Sequence, residues 1–282
     1  MKTYLVPIDF SKTAKHAAEF AASLSHQTDV EHIILLNAYY VSVYETMLPS
    51  PDMTLVREEE IEENAAERIK NLEAYKKELS KKVRPGVEIS THLNRSHLLR
   101  AVVENTISKN AGLVIIGSRG NSSNADAKIG SHVVKVSKMC PVPVIVVPPA
   151  YHIESISRVV VACDFSKVTE PESLQSLTAL LDKKKFDLLV VNINNKAAKS
   201  GREAEETAKE TVLYQTLKHY NPQYYFINQA DIINGILQFA AEHDAQIVIA
   251  LPHKYSFLQS LLHNSVSQQL LENTSIPVLL LK

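Results

Sequence analysis

The tetrapeptide Asp-Phe-Ser-Lys occurs twice in this chain, at Asp9–Lys12 and again at Asp164–Lys167. Each copy follows a short apolar run, Leu5-Val6-Pro7-Ile8 in the first case and Val159-Val160-Val161-Ala162-Cys163 in the second. A second pair of echoes lies further along. Val142-Pro143-Val144-Ile145-Val146 recurs as Ile276-Pro277-Val278-Leu279-Leu280. Repeats at matching positions across 282 residues mean an internal duplication, and each half is long enough to bury its own core. The boundary falls near Pro148 to Ser155, giving domains over 1–150 and 151–282.

Within the first half, short apolar runs alternate with helical patterns. Strands are expected at Leu5–Ile8, His32–Ala38, Val87–Leu93, Leu113–Ile116 and Pro143–Val147. Between them lie a helix capped by Ser11, a long amphipathic helix over Leu55–Lys82, a helix capped by Ser96, and a helix after Gly130. The long helix is acidic at its start (Glu58, Glu59, Glu60) and basic at its end (Lys81, Lys82), as the macrodipole favours, and Pro85-Gly86 stops it. The second half repeats the order with strands at Val159–Cys163, Leu188–Asn192, Tyr224–Asn228, Ile247–Leu251 and Ile276–Leu280. Its helices are expected over Glu203–His219 and Ile232–Ala241. The fold class is therefore α/β: two open parallel five-stranded sheets of Rossmann-like type, with helices on both faces. Ligands in such sheets bind beyond the carboxyl ends of the strands. Asp9, Ala38 and Gly117 all fall there. An insertion over 41–55 has no counterpart in the second half and is either a lid or a surface loop.

The stretch Gly117–Ser131 lies between a strand and a helix. Glycines there let backbone N–H groups approach an anion, and a helix starting at Gly130 aims its unpaired N–H groups at the same point. Ser131 adds a hydroxyl and Arg119 a charge. A plain surface loop with turn glycines fits the same residues. The spacing is that of neither a Walker loop nor a dinucleotide fingerprint. Gly117 and Gly120, then nine residues, then Gly130-Ser131 resembles the ATP-binding signature of the universal stress protein family. The resemblance extends to the V-P-x-D-x-S start and the Pro-Val strand that ends each half, and so covers nearly the whole chain.

What the resemblance implies is specific. The strand order would be 3-2-1-4-5. Asp9 would contact the adenosine part of the nucleotide, although an Asx-turn carboxylate explains it too. Ala38 would meet adenine through its backbone. Gly117 and Gly120 would pass under the ribose and phosphates, and Gly130 and Ser131 would hold the phosphates. Arg119 either reaches a phosphate or is solvated. The ligand would be ATP, or ADP or AMP, with or without magnesium. The halves would pair through their fifth-strand edges as a pseudo-dimer, which covers exposed backbone groups. Further homodimerisation and protein partners stay open, and the family's role in stress response would rest on nucleotide-dependent association.

The second half is not equivalent. Laid against the first loop, Ala250 falls opposite Gly117, His253 opposite Gly120, His263 opposite Gly130 and Asn264 opposite Ser131. All three glycines are lost, so nucleotide binding is expected in the first half alone. His253 and His263, with Asp164, are either a zinc site or ordinary loop histidines.

Other classes are disfavoured. The net charge of −1 gives no broad pull toward nucleic acid or membranes. No apolar run approaches the roughly 18 residues of a spanning helix. The N-terminus lacks the hydrophobic region of a signal peptide, and Cys140 and Cys163 are the only cysteines, which fits a reduced, cytoplasmic setting. No Ser/His/Asp set stands at a recognisable spacing. His16, His97 and His132 have no identifiable partners and are expected at the surface or at caps. Binding is expected rather than catalysis, with at most weak ATP hydrolysis.

Overall fold

The structure, a computed structural model, describes residues 1–40, 51–120, 129–164, 186–194, 209, 211–251 and 266–281. Ten strands form a single sheet in the order β3-β2-β1-β4-β5-β10-β9-β6-β7-β8. In the first half these are β1 (Thr3–Pro7), β2 (His32–Ala38), β3 (Glu88–Asn94), β4 (Leu113–Gly117) and β5 (Val144–Val147). In the second they are β6 (Arg158–Ala162), β7 (Asp187–Asn194), β8 (Gln223–Asn228), β9 (Ile247–Ala250) and β10 (Val278–Leu280). Each half keeps the 3-2-1-4-5 order with parallel neighbours. The halves meet where β5 and β10 pair antiparallel, Val146 opposite Val278 and Val144 opposite Leu280. The two expected sheets are thus one continuous sheet, and the join satisfies two strand edges that would otherwise be exposed.

Helices cover both faces. On one face lie α1 (Lys12–Ser25), α2 (Pro51–Leu79) and α5 (Val212–Leu217), which contribute Phe20, Leu72 and Leu213 to one core. The opposite face carries α3 (Leu98–Ser108), α4 (Ser131–Met139), α6 (Ile232–Glu242) and α7 (Val266–Asn273), with Val102, Val136, Phe239 and Leu270 in the second core. Strand residues alternate between the cores: Leu35 packs on the α1 side and Leu36 on the α3 side. The strands read as unbroken apolar runs because both faces are covered.

Several boundaries differ from the sequence reading. The insertion expected over 41–55 is already helix α2 from Pro51, and residues 41–50 lie outside the described residues. A proline at the first helical position loses no hydrogen bond, which is why the helix can start there. It ends at Leu79, six residues before Pro85, with Lys76 and Lys77 in its last turn. Leu79 is its last buried contact; the chain then turns, and the Arg84 guanidinium donates to the carbonyls of Ser25 (3.0 Å) and Val30 (2.7 Å). Residues 209 and 211–220 give only a short α5, capped by Thr211, and a single 3-10 turn at Lys218–Tyr220.

The connection between the halves is held from both sides. The Gln27 amide pairs with the backbone of Ile156, accepting from its N–H at 2.8 Å and donating to its carbonyl at 2.9 Å. The Gln246 amide oxygen accepts from the N–H groups of Ser157 (3.0 Å) and Arg158 (2.7 Å). Tyr151 sets its ring edge-on against Phe20 of α1, with centroids 5.9 Å apart.

Candidate functional site

The end of β1 turns sharply into α1. Phe10 adopts a left-handed φ of 63°, which costs a side-chain-bearing residue roughly 1–2 kcal/mol. The turn is fixed by two side chains. Asp9 Oδ1 accepts from the Ser11 N–H at 3.0 Å, and Ser11 Oγ accepts from the Ala14 N–H at 3.1 Å, so Ser11 caps α1 as expected. The Asx-turn explanation of Asp9 therefore accounts for one of its two carboxylate oxygens.

Its other oxygen faces the glycine loop. A Cβ placed on Gly120 would lie 2.6 Å from Asp9 Oδ2. A Cβ on Gly117 would lie 2.7 Å from the Thr13 carbonyl oxygen and 2.8 Å from Thr13 Cγ2. The Thr13 backbone cannot yield cheaply, so Gly117 needs to be glycine for a reason internal to the protein, whereas at Gly120 the contact is with the end of a side chain. Gly117 lets the first turn of α1 close on β4, and Gly120 lets the loop close on Asp9.

Gly130 is the N-cap of α4, with extended φ and ψ of −73° and 138° and no side chain to cap the helix. Its N–H donates to the Ser118 carbonyl at 2.8 Å, and its own carbonyl accepts from Val133 and Val134. This clips the far end of the loop back onto the end of β4. The first turn of α4 is left to face outward with its positive dipole end.

One cavity of about 500 Å³ gathers these elements. Its lining includes Asp9, Ala38, Gly117, Arg119, Gly120, Gly130 and Ser131, all seven of the first-half residues singled out from the sequence. They come from the ends of β1, β2 and β4 and the start of α4, elements that parallel order places side by side. Asp9 is the one carboxylate among the described lining residues; Arg119, His97 and His132 bring basic side chains.

The sequence reading missed part of the lining. Tyr40 and His97 stack at 3.8 Å between centroids with an interplanar angle of 18°, and both line the cavity. His97, not Ser96, is the N-cap of α3, and it makes no side-chain cap bond. Ser96 Oγ instead donates to Asn94 Oδ1 at 2.6 Å. His16, expected at the surface or at a cap, is half-buried, and its Nε2 has no hydrogen-bond partner among the described residues.

In the second half, the ladder corrects the alignment of the loops by one residue. Val114 pairs with Val144 and Val248 with Val278, so Ile116 is the equivalent of Ala250, and Gly117 of Leu251. The same offset holds on both sides of the loop. Gly120 therefore stands opposite Lys254, Gly130 opposite Asn264 and Ser131 opposite Ser265. A strand's side chains alternate faces, so a one-residue slip would have turned a core residue outward. The three glycines are still lost, but the serine is kept. His253 and His263 fall opposite Arg119 and Ile129 and lie outside the described residues. Among the described residues no group of three or more His, Cys, Asp or Glu side chains is placed to hold a metal. Burial, together with the Asp164 charge, pushes the Cys163 thiol above its ordinary range. No helix among the described residues is long and apolar enough to cross a membrane.

Comparison with known proteins agrees with this architecture. The sequence model of the universal stress protein family matches residues 1–148 and again 155–282. A universal stress protein from Archaeoglobus fulgidus DSM 4304 superposes with a TM-score of 0.64 at 18% identity, covering 99% of this chain and 96% of that one. A functionally unknown protein from Pseudomonas aeruginosa PAO1 superposes with a TM-score of 0.60 at 16% identity, covering 100% of this chain and 92% of its own. Among curated proteins none matches.

Proposed function

The chain belongs to the universal stress protein family, and on that premise we propose that its first repeat binds ATP or a related adenine nucleotide while its second is mainly structural. One observation carries the reading. Seven residues chosen from three separate stretches of sequence line a single cavity of about 500 Å³ at the carboxyl ends of the strands. The chemistry fits an anionic ligand. The α4 N-terminus, Ser131 and Arg119 bring donors and positive charge to one part of the cavity, which Gly117, Gly120 and Gly130 also line. Asp9 supplies a carboxylate able to accept from a ribose hydroxyl or an exocyclic amine. In the second repeat Leu251, Lys254 and Asn264 stand where the glycines were.

The physiological output of this reading is nucleotide-dependent association with protein partners in the cytoplasm during stress, with binding rather than turnover as the central event.

The test is direct. Freshly purified protein is denatured and any released nucleotide identified; emptied protein is then titrated with ATP, alongside the Gly120→Val/Gly130→Val double variant. About one adenine nucleotide per chain, lost in the double variant, is the expected result. Two per chain would contradict the silent second repeat, and none, with no binding on titration, would overturn the proposal.

A further inference from the structure

We propose that Tyr40 and His97 form the base-stacking wall of this cavity and select for ligands that join a flat heteroaromatic ring to an anionic group. The proposal rests on the nucleotide reading above and adds to it the residues that read the base.

Three observations carry it. Tyr40 is 53% exposed although His97 is stacked upon it, and it belongs to neither hydrophobic core. An exposed ring stacked on a second ring in the lining of a cavity offers a flat apolar surface to a planar ligand group. Second, His97 forgoes the role that its position offers, and the backbone before Tyr40 is tied down. His97 is an N-cap whose side chain bonds to no helix N–H, and its imidazole lies on Tyr40 instead. Tyr40 sits two residues beyond Ala38, and the ladder from β2 to β3 runs on past Ala38, with the Tyr39 N–H donating to the Asn94 carbonyl at 3.0 Å. The backbone leading into the ring is therefore fixed.

The third observation is placement. The glycine loop and α4 start lie at the end of β4, whereas Tyr40 follows β2, with β1 between them. Neighbouring strands are about 4.8 Å apart, so these two parts of the cavity are separated by roughly 10 Å. One part suits an anion and the other an aromatic ring. His97 occupies one face of Tyr40, and the ligand's base takes the other.

The chain contains no tryptophan, so Tyr40→Trp introduces a single indole reporter while keeping a stacking ring. Wild type, Tyr40→Ala and Tyr40→Trp are each titrated with ATP, adenosine and inorganic tripolyphosphate. Loss of base–aromatic stacking predicts that Tyr40→Ala weakens ATP and adenosine about tenfold or more and leaves tripolyphosphate within about twofold. Tyr40→Trp retains affinity, and its fluorescence changes with adenosine and not with tripolyphosphate. Equal weakening of ATP and tripolyphosphate by Tyr40→Ala, or unchanged ATP affinity, overturns the stacking role while leaving nucleotide binding in place. A wild type that binds tripolyphosphate but neither ATP nor adenosine more tightly also overturns it. A wild type that binds none of the three removes the nucleotide reading and this proposal together.

Discussion

The Asn37 side-chain amide donates to the Ile8 carbonyl at 2.6 Å, and in the second half Asn192 donates to the Cys163 carbonyl at 2.9 Å. The two bonds are equivalents, since the ladder sets Leu5 opposite Ile34 and Val160 opposite Leu189. Each asparagine is buried and ties the end of its second strand to the last peptide before an aspartate. In the first half, Arg68 from α2 donates to Asn37 Oδ1 at 3.3 Å and lies over the Tyr39 ring, which orients the amide. Asn37 therefore supports the cavity from the far face of the sheet through the peptide that carries Asp9. Asn37→Leu leaves that carbonyl unpaired, and should cost about 1–3 kcal/mol in chemical unfolding. Asn192→Leu should cost a similar amount. Only Asn37→Leu should weaken nucleotide binding; equal effects of the two variants on affinity would exclude a positioning role.

The two loop glycines should separate in a mutational test. At Gly117 an added methyl meets the Thr13 backbone, which is anchored in α1 and cannot yield cheaply. Gly117→Ala should destabilise by about 1–3 kcal/mol, as overpacking does. At Gly120 the methyl meets the end of the Asp9 side chain, which can rotate away. Gly120→Ala should therefore lower the melting temperature little and reduce nucleotide affinity severalfold, because the moved group is a proposed ligand contact. A Gly120→Ala protein that is strongly destabilised with unaltered affinity would contradict this division.

Gln27 and Ile156 supply a third test. The Gln27 amide closes a reciprocal pair with the Ile156 backbone, joining the region after α1 to the segment before β6. Gln27→Ala should lose about 1–2 kcal/mol, by the usual worth of two part-buried hydrogen bonds. It should also speed proteolysis between Pro148 and Ser157, where the wild-type chain is held on both sides. Limited proteolysis with mass mapping reads this out, and an unchanged cleavage rate at that segment would show that β5–β10 pairing alone holds the halves.

Much of this was legible in the sequence because short apolar runs between helical patterns leave few alternatives. The duplication and the residues at strand ends needed only local pattern, whereas the strand order came with the family resemblance. The errors arose where particular contacts, near or distant in sequence, decide. Ser96 looks like a cap, yet its hydroxyl donates to Asn94 and the helix takes His97 as its N-cap. The loop alignment slipped by one because nothing within the loops fixes register, whereas Val114–Val144 and Val248–Val278 do. Asn37 reads as one polar residue at the end of an apolar strand, and its acceptor lies 29 positions away. Tyr40 and His97 are 57 positions apart in sequence, and no periodicity announces their contact.

His92 predicts a pH dependence whose sign can be fixed. It lies on the edge strand β3, opposite Leu36, and partial burial lowers its pKa, with the Lys109 charge adding to the effect. Near and below the ordinary value of about 6.5, the unfolded chain binds this proton more readily than the folded one. Stability from this residue is thus complete above that value and is lost as pH falls through the lowered folded one. Glu73, held below the ordinary carboxylate range chiefly by the Thr91 hydroxyl, acts in a lower window and does not interfere. Urea midpoints at pH 7.5 and 5.5 for wild type and His92→Gln isolate the contribution from that of the other histidines. The loss of stability on acidification should be smaller in His92→Gln, and an equal loss in both proteins would rule His92 out as its source.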